Sequence, residues 1–339
     1  MPIETGRAPV NGINIYYEVH GRSGGTPLVL LHGGGSTIDS NFGRVLPFLS
    51  GRRRVIALEE QGHGRTSDRD QPVTFEQSGD DVAELLRHLG VSQADFLGFS
   101  NGGTVALQVA IRHPALVRRL VFASSLTRRD GAQPQLWEFI EQADVANMPQ
   151  PLKDAFLAVT PDPDKLKTMH DKDAARMASF TDVPDAAVRC VRAPTLVIAG
   201  DRDVTRLEHA IELSRLFPDA RLLVLPSGHG DYLAEASSAP ADTEYAEITA
   251  RLVDRFLSEF PTPRWSCRPN PRDSAINAVA GPARALVSSV LGGARPGTMG
   301  PWTSGPSSIA DTTSAAGTSR PARAIDGPPE SISGRSPCS

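Results

Sequence analysis

The residues with the clearest chemical meaning are Gly98-Phe99-Ser100-Asn101-Gly102, a G-x-S-x-G pattern. It lies between an apolar run at 94–99 (ADFLGF) and an apolar helical stretch at 102–113 that Pro114 stops. A serine in such a strand–turn–helix bend is held with a strained backbone that pushes its hydroxyl out of the sheet. Gly98, Gly102 and Gly103 provide the small residues needed where strand and helix backbones pass closely. That hydroxyl can attack a carbonyl if a base takes its proton. The oxyanion that develops needs two N–H donors already in place. His32-Gly33-Gly34-Gly35-Ser36 directly follows the apolar run 27–31 (PLVLL), and its glycines let amides point into a site. The expected donors are the amides of Gly34 and Asn101, with Gly35 as the alternative to Gly34. No Lys-Ser or Lys-Thr follows these glycines, which argues against phosphate-loop chemistry.

The base should be a histidine, held in the right tautomer by a carboxylate. Downstream of Ser100 stand His113, His170, His209 and His229. His113 ends the elbow helix, His170 lies in a helical stretch far from any strand, and His209 sits mid-helix. His229 falls in Pro226-Ser227-Gly228-His229-Gly230, just after the strand-like run 221–225 (RLLVL), and is the expected base. The acid should come from Gly200-Asp201-Arg202-Asp203, after the run 195–199 (TLVIA). Asp203 has the reach to a neighbouring loop, and Asp201 is the fallback.

Positioning these residues takes alternating strands and helices. Strand-like runs stand at 14–19, 27–31, 54–58, 94–99, 120–123, 195–199 and 221–225, with helical periodicity at 75–89, 102–113, 206–217 and 244–260. Continuous Val/Leu/Ile strands between helices imply a mostly parallel sheet covered on both faces. Residues 127–192 break the rhythm with helical stretches at 135–146, 152–159 and 164–180 and no buried strand. An insertion of this kind is expected to cap the C-terminal edge of the strands, where ligands bind in open α/β sheets. The expected organisation is a core at 1–126 and 193–260, a helical cap at 127–192, and a disordered tail at 261–339. The tail is rich in Pro, Gly, Ser, Ala and Thr, lacks lysine, and has one candidate helical piece at 280–291. In the cap, Trp137, Phe139 and Phe156 are candidate substrate contacts, with Ile140, Met169, Met177 and Phe180 as further apolar candidates; any of them could equally form the cap's own core. The charged stretch 162–172 reads as a solvated helix face.

Together these residues resemble the α/β-hydrolase fold family, serine-nucleophile branch. The resemblance covers residues 12–260 and rests on HGGGS at 32–36, GHGRTS at 62–67, GFSNGG at 98–103, RHPALVRRLVFAS at 112–124, PTLVIAGDRDV at 194–204 and PSGHGDYL at 226–233. It implies an eight-stranded, mostly parallel sheet, a helical cap, and a triad of Ser100, Asp203 and His229. It also implies that His63 anchors a loop near the site. Glu59 and Glu60 stand where relatives more often carry a single Asp, a departure that leaves the triad intact.

The serine excludes branches that attack with an elbow aspartate. The expected reaction is hydrolysis of a small carboxylic ester or lactone through an acyl-enzyme. The alternatives are a carbon–carbon bond hydrolase of ring-cleavage products and a non-catalytic small-molecule receptor on the same fold. No cofactor and no metal are expected. A formal net charge of −4 over 339 residues, with no basic face, argues against nucleic acid as a partner. No apolar run approaches the ~18 residues of a membrane span. The first 21 residues lack the basic and apolar regions of a signal peptide, and the three cysteines have no framework or metal spacing. A cytoplasmic enzyme acting on a small molecule is expected.

Overall fold

Runs of four apolar residues are too short for a buried helix and too apolar for the surface, so they become the middle of a sheet. The computed structural model describes residues 2–22, 24–238 and 242–259. Among them eight strands form one sheet: β1 (Glu4–Val10), β2 (Ile13–His20), β3 (Leu28–Leu31), β4 (Val55–Leu58), β5 (Ala94–Phe99), β6 (Val117–Ala123), β7 (Thr195–Gly200) and β8 (Ala220–Leu225). Their order is β1-β2-β4-β3-β5-β6-β7-β8. β2 runs antiparallel to β1 and β4, and the pairs from β4 to β8 are parallel. All described residues belong to one compact unit. The expected tail at 261–339, its candidate helical piece, Cys267 and Cys338 lie outside the described residues.

The helices are α1 (Ile38–Phe42), α2 (Leu46–Ser50), α3 (Phe75–His88), α4 (Asn101–Arg112), α5 (Pro134–Glu141), α6 (Gln150–Val159), α7 (Pro163–Ala178), α8 (Asp185–Arg189), α9 (Leu207–Leu216) and α10 (Thr243–Ser258). Successive strand residues point to opposite faces. Val29, Leu31, Phe96 and Phe122 therefore pack with α3, α4 and α9. Leu28, Leu30, Leu97 and Val121 pack with α1, α2 and α10 on the other side. Each such side chain, fully buried, contributes roughly 1.5–3 kcal/mol. No described helix is long and apolar enough to cross a membrane.

Four helices, α5 to α8, fill the interval between β6 and β7. α6 and α7 share a small cluster of Met148, Leu152, Phe156, Leu166 and Met169. Met177 and Phe180, by contrast, join the core that α3 and α4 form with the sheet. The interval is therefore anchored into the core at both ends, through Ala132 and through Met177, Phe180 and Val188, and has apolar packing of its own in between.

β5 and α4 meet at Ser100, whose backbone angles are φ 53° and ψ −123°. The bend is fixed on both sides: Ser100 N–H donates to Ala123 O at 2.9 Å, and Gly103 N–H donates to Ser100 O at 2.9 Å. The chain can pass so closely only because side chains are missing. A Cβ on Gly98 would lie 2.2 Å from Gly102 O, and one on Gly102 would lie 2.1 Å from Leu31 O. Backbone oxygens held in a buried helix and strand cannot move aside. Gly102→Ala should therefore cost about 3 kcal/mol of stability, seen by calorimetry as a fall of roughly 6–12 °C in Tm. An unchanged Tm would contradict this packing.

Candidate active site

Ser100 ends β5 and the glycine loop ends β3, two neighbouring parallel strands paired Leu31 to Gly98. The order of the sheet reverses at β3, with β4 on one side and β5 on the other, so their C-terminal ends flank a crevice. β7 and β8 bring Asp203 and His229 to the same edge.

The side chains meet in a line. His229 Nε2 is 3.1 Å from Ser100 Oγ, and His229 Nδ1 is 2.7 Å from Asp203 Oδ1. With Nδ1–H donating to the carboxylate, Nε2 is left to accept the serine proton. Asp203 is buried, and its charge is held by donors. Thr205 N–H reaches Oδ1 at 3.1 Å, Gly200 N–H reaches Oδ2 at 3.3 Å, and Ser124 Oγ–H donates to Oδ2. Burial pushes the Asp203 pKa up, but His229, Ser124 and the Thr205 amide outweigh it and hold the group below the usual carboxylate range. Burial lowers the His229 pKa, but the Asp203 carboxylate outweighs it and the net shift is upward. Asp201, the fallback acid, faces elsewhere: its Oδ1 accepts Ser227 N–H at 2.9 Å.

The other downstream histidines are occupied elsewhere. His113 Nε2 lies 2.7 Å from Asp80 Oδ1. His170 Nδ1 lies 3.2 Å from Asp171 Oδ1, although its side chain borders the cavity described below. His209 is buried, accepts Thr127 N–H at Nε2, and is pulled down to a pKa of about 4 by burial. His63 does fasten a loop, with Nδ1–H donating to Gln61 O at 3.0 Å. Of the glycine loop, Gly33 N–H donates to Asn41 Oδ1 and Gly35 N–H to Asp173 Oδ2. The Gly34 and Asn101 amides have no acceptor among the described residues.

A cavity of about 620 Å³ opens onto Ser100 and His229, between the sheet edge and α5, α6 and α7. Phe139, Ile140, Met177 and Phe180 line it. Trp137 and Phe156 do not, which corrects two of the three candidate contacts. Phe156 is 1% exposed within the α6–α7 cluster, and Met169 belongs there too. Trp137 stacks under Arg129 and beside Phe180, and its indole N–H donates to Arg129 O at 2.8 Å. Among the described residues no group of three His, Cys, Asp or Glu side chains is arranged to hold a metal ion.

Two participants escape a sequence reading. Ser124 follows β6 in a left-handed conformation, φ 47°, which turns its hydroxyl onto Asp203. Tyr232, fully buried, reaches Ser124 Oγ at 2.7 Å. A lone serine after a strand carries no signal; only the fold brings it within reach of residue 203.

A family model described as alpha/beta hydrolase fold matches residues 26–167. The 2-hydroxymuconate semialdehyde hydrolase of Pseudomonas sp. (strain CF600) is 30% identical over 260 residues, 66% of this chain and 92% of that protein. The chain belongs to the α/β-hydrolase fold family. Within this family it is similar to the pimeloyl-[acyl-carrier protein] methyl ester esterase of Neisseria meningitidis, at 28% identity over 75% of this chain and 88% of that one. The fold is shared with the enol-lactonase of Burkholderia xenovorans LB400, at a TM-score of 0.59 and 23% identity, covering 75% of this chain and all of that one. As a member of this family the chain is a hydrolase.

The upward shift at His229 has a kinetic consequence. A His229 that takes the serine proton must be neutral, and in that role kcat/KM should fall as pH drops through a pKa above the usual value of about 6.5. In Asp203→Asn burial acts on His229 without the opposing charge. The acid limb should then move below pH of about 6.5 and kcat should fall about 10⁴-fold. A pH–rate series on both proteins checks this; the same limb in both would contradict it.

Proposed function

We propose that the protein hydrolyses a small carboxylic ester or lactone, with Ser100 as nucleophile, His229 as base and Asp203 as its orienting acid. The observation that carries this is the 3.1 Å approach of His229 Nε2 to Ser100 Oγ at one end of a cavity with apolar walls. Ser100 Oγ attacks the carbonyl carbon as its proton passes to His229 Nε2. The carbonyl oxygen becomes an oxyanion and takes hydrogen bonds from the Gly34 and Asn101 amides. Collapse breaks the carbon–oxygen bond, and His229 gives its proton to the leaving alkoxide. Water, deprotonated by His229, then attacks the acyl-enzyme and regenerates the Ser100 hydroxyl. Asp203 stays ionised throughout and steadies the imidazolium. The methyl ester esterase relative supports an ester substrate.

A second reading, carbon–carbon bond hydrolysis, is favoured by the likeness to 2-hydroxymuconate semialdehyde hydrolase. A chromogenic dienol ring-cleavage product separates the two. On the ester reading the dienol is turned over far more slowly than p-nitrophenyl esters.

Ser100→Ala should lower p-nitrophenyl acetate hydrolysis by at least about 10⁴-fold. Across an acyl series, kcat/KM should rise about fourfold per methylene, the worth of about 0.8 kcal/mol of buried CH₂, until the apolar wall is filled. Ester hydrolysis that survives Ser100→Ala would contradict the assignment.

A further inference from the structure

The two donors proposed for the oxyanion lie on segments far apart in sequence, the loop after β3 and the first turn of α4. One carboxylate touches both. Asp173, on α7, accepts Gly35 N–H at Oδ2 over 2.8 Å and Asn101 Nδ2–H at Oδ1 over 3.4 Å. Gly34 is packed against the same pair: a Cβ there would lie 2.6 Å from Asp173 Oδ2 and 2.7 Å from Asn101 Nδ2. Asp173 thus occupies the Gly35 amide, while the amide of Gly34, which lines the cavity, keeps no acceptor among the described residues.

A carboxylate beside a void meant for an oxyanion would repel it unless its charge were offset. Arg176, one helical turn along α7, bonds Asp173 Oδ1 through Nη2 and reaches Glu60 Oε2 at 2.8 Å through Nη1. Its side chain is 2% exposed, so this pairing is shielded from water. His63 Nε2 stands 3.5 Å from Asp173 Oδ2. Burial pushes the Asp173 pKa up, but Arg176, His63 and the Gly35 amide outweigh it and keep the group ionised. The buried cluster therefore fixes the carboxylate in place, with the Arg176 cation beside it and shared with Glu60.

We infer that Asp173 is a positioning residue that holds the two donors of the oxyanion hole in register and makes the hole depend on the seating of α7. The inference rests on the hydrolase reading of Ser100. Displacing α7 would free the Gly35 amide and loosen Gly34 and Asn101 together, leaving the Ser100–His229–Asp203 line intact.

The test compares wild type, Asp173→Asn and Asn101→Ala, with Ser100→Ala as the unlabelled blank. Active sites are counted by fluorophosphonate labelling carried to completion. Hydrolysis of p-nitrophenyl acetate, and inhibition by an aryl trifluoromethyl ketone whose adduct mimics the oxyanion, are then measured per labelled site. Asp173→Asn should lower kcat about tenfold, short of the ~10²–10³-fold of losing a donor outright. Asn101→Ala keeps its backbone amide and all the ion pairs, and should lower kcat about threefold to fivefold, the worth of one side-chain hydrogen bond. KM should stay within about twofold, and ketone affinity should fall in step with kcat/KM. Wild-type kcat and ketone affinity per labelled site in both variants would overturn the inference, as would a loss confined to the fraction of protein that labels. If Asp173→Asn does not fold, Asn101→Ala decides alone. Wild-type protein that neither labels nor turns over would remove the hydrolase reading, and this inference with it. Labelled, active wild type alongside unaffected variants removes only the inference.

Discussion

The site depends on one turn of backbone. At Ser100 the chain adopts φ 53°, a region that non-glycine residues avoid, and it does so between two buried elements that leave it no other path. The conformation is held by Ala123 O on one side and Gly103 N–H on the other. Its cost, of order 1–3 kcal/mol, is borne by the packing of β5 and α4 into the core. The bend lifts the hydroxyl toward the cavity and places Asn101 N–H at the start of a helix, where it has no carbonyl to bond within the helix. The Ser100 hydroxyl and the unbonded Asn101 amide therefore come from the same strained turn.

Around this turn the sheet acts as a ruler. β3, β5, β7 and β8 end at a common edge, and each contributes one part: the glycine loop, Ser100, Asp203 and His229. Burial of charge needs compensation, and two carboxylates of the site find it in different ways. Asp203 is satisfied by His229, Ser124 and two amides. Asp173 is satisfied by Arg176, the Gly35 amide and the Asn101 side chain. Replacing one partner in either set would leave a buried charge short of hydrogen bonds, the expensive way to alter such a network.

Much of this was legible in the sequence because it is local. Continuous apolar runs marked β3, β4, β5 and β7, and the glycines around Ser100 marked the crossing. The sequence neighbours of His229 and Asp203, each just past a strand, placed them at the right edge. What stayed hidden is what only tertiary contact decides. β1 was missed because as an edge strand it buries only Ala8 and Val10 and carries Pro9. α1, α2 and α8 have five residues each, too few to show a helical period. Within the insertion, spacing identified apolar residues but not which side they faced, so Phe156 and Trp137 were indistinguishable from Phe139. Asp173 stands beside a stretch that reads as a solvated helix face, and Gly35 and Asn101, the partners that tie it to the site, lie 138 and 72 residues away.

The chemistry proposed needs Ser100, His229 and two open amides to converge on one void. The direct measurement is a crystal structure of the adduct between Ser100 and a trifluoromethyl ketone. A covalent bond to Ser100 Oγ is expected, with an adduct oxygen about 2.7–3.1 Å from both Gly34 N and Asn101 N. An adduct on another residue, or an oxygen turned away from both amides, would contradict it.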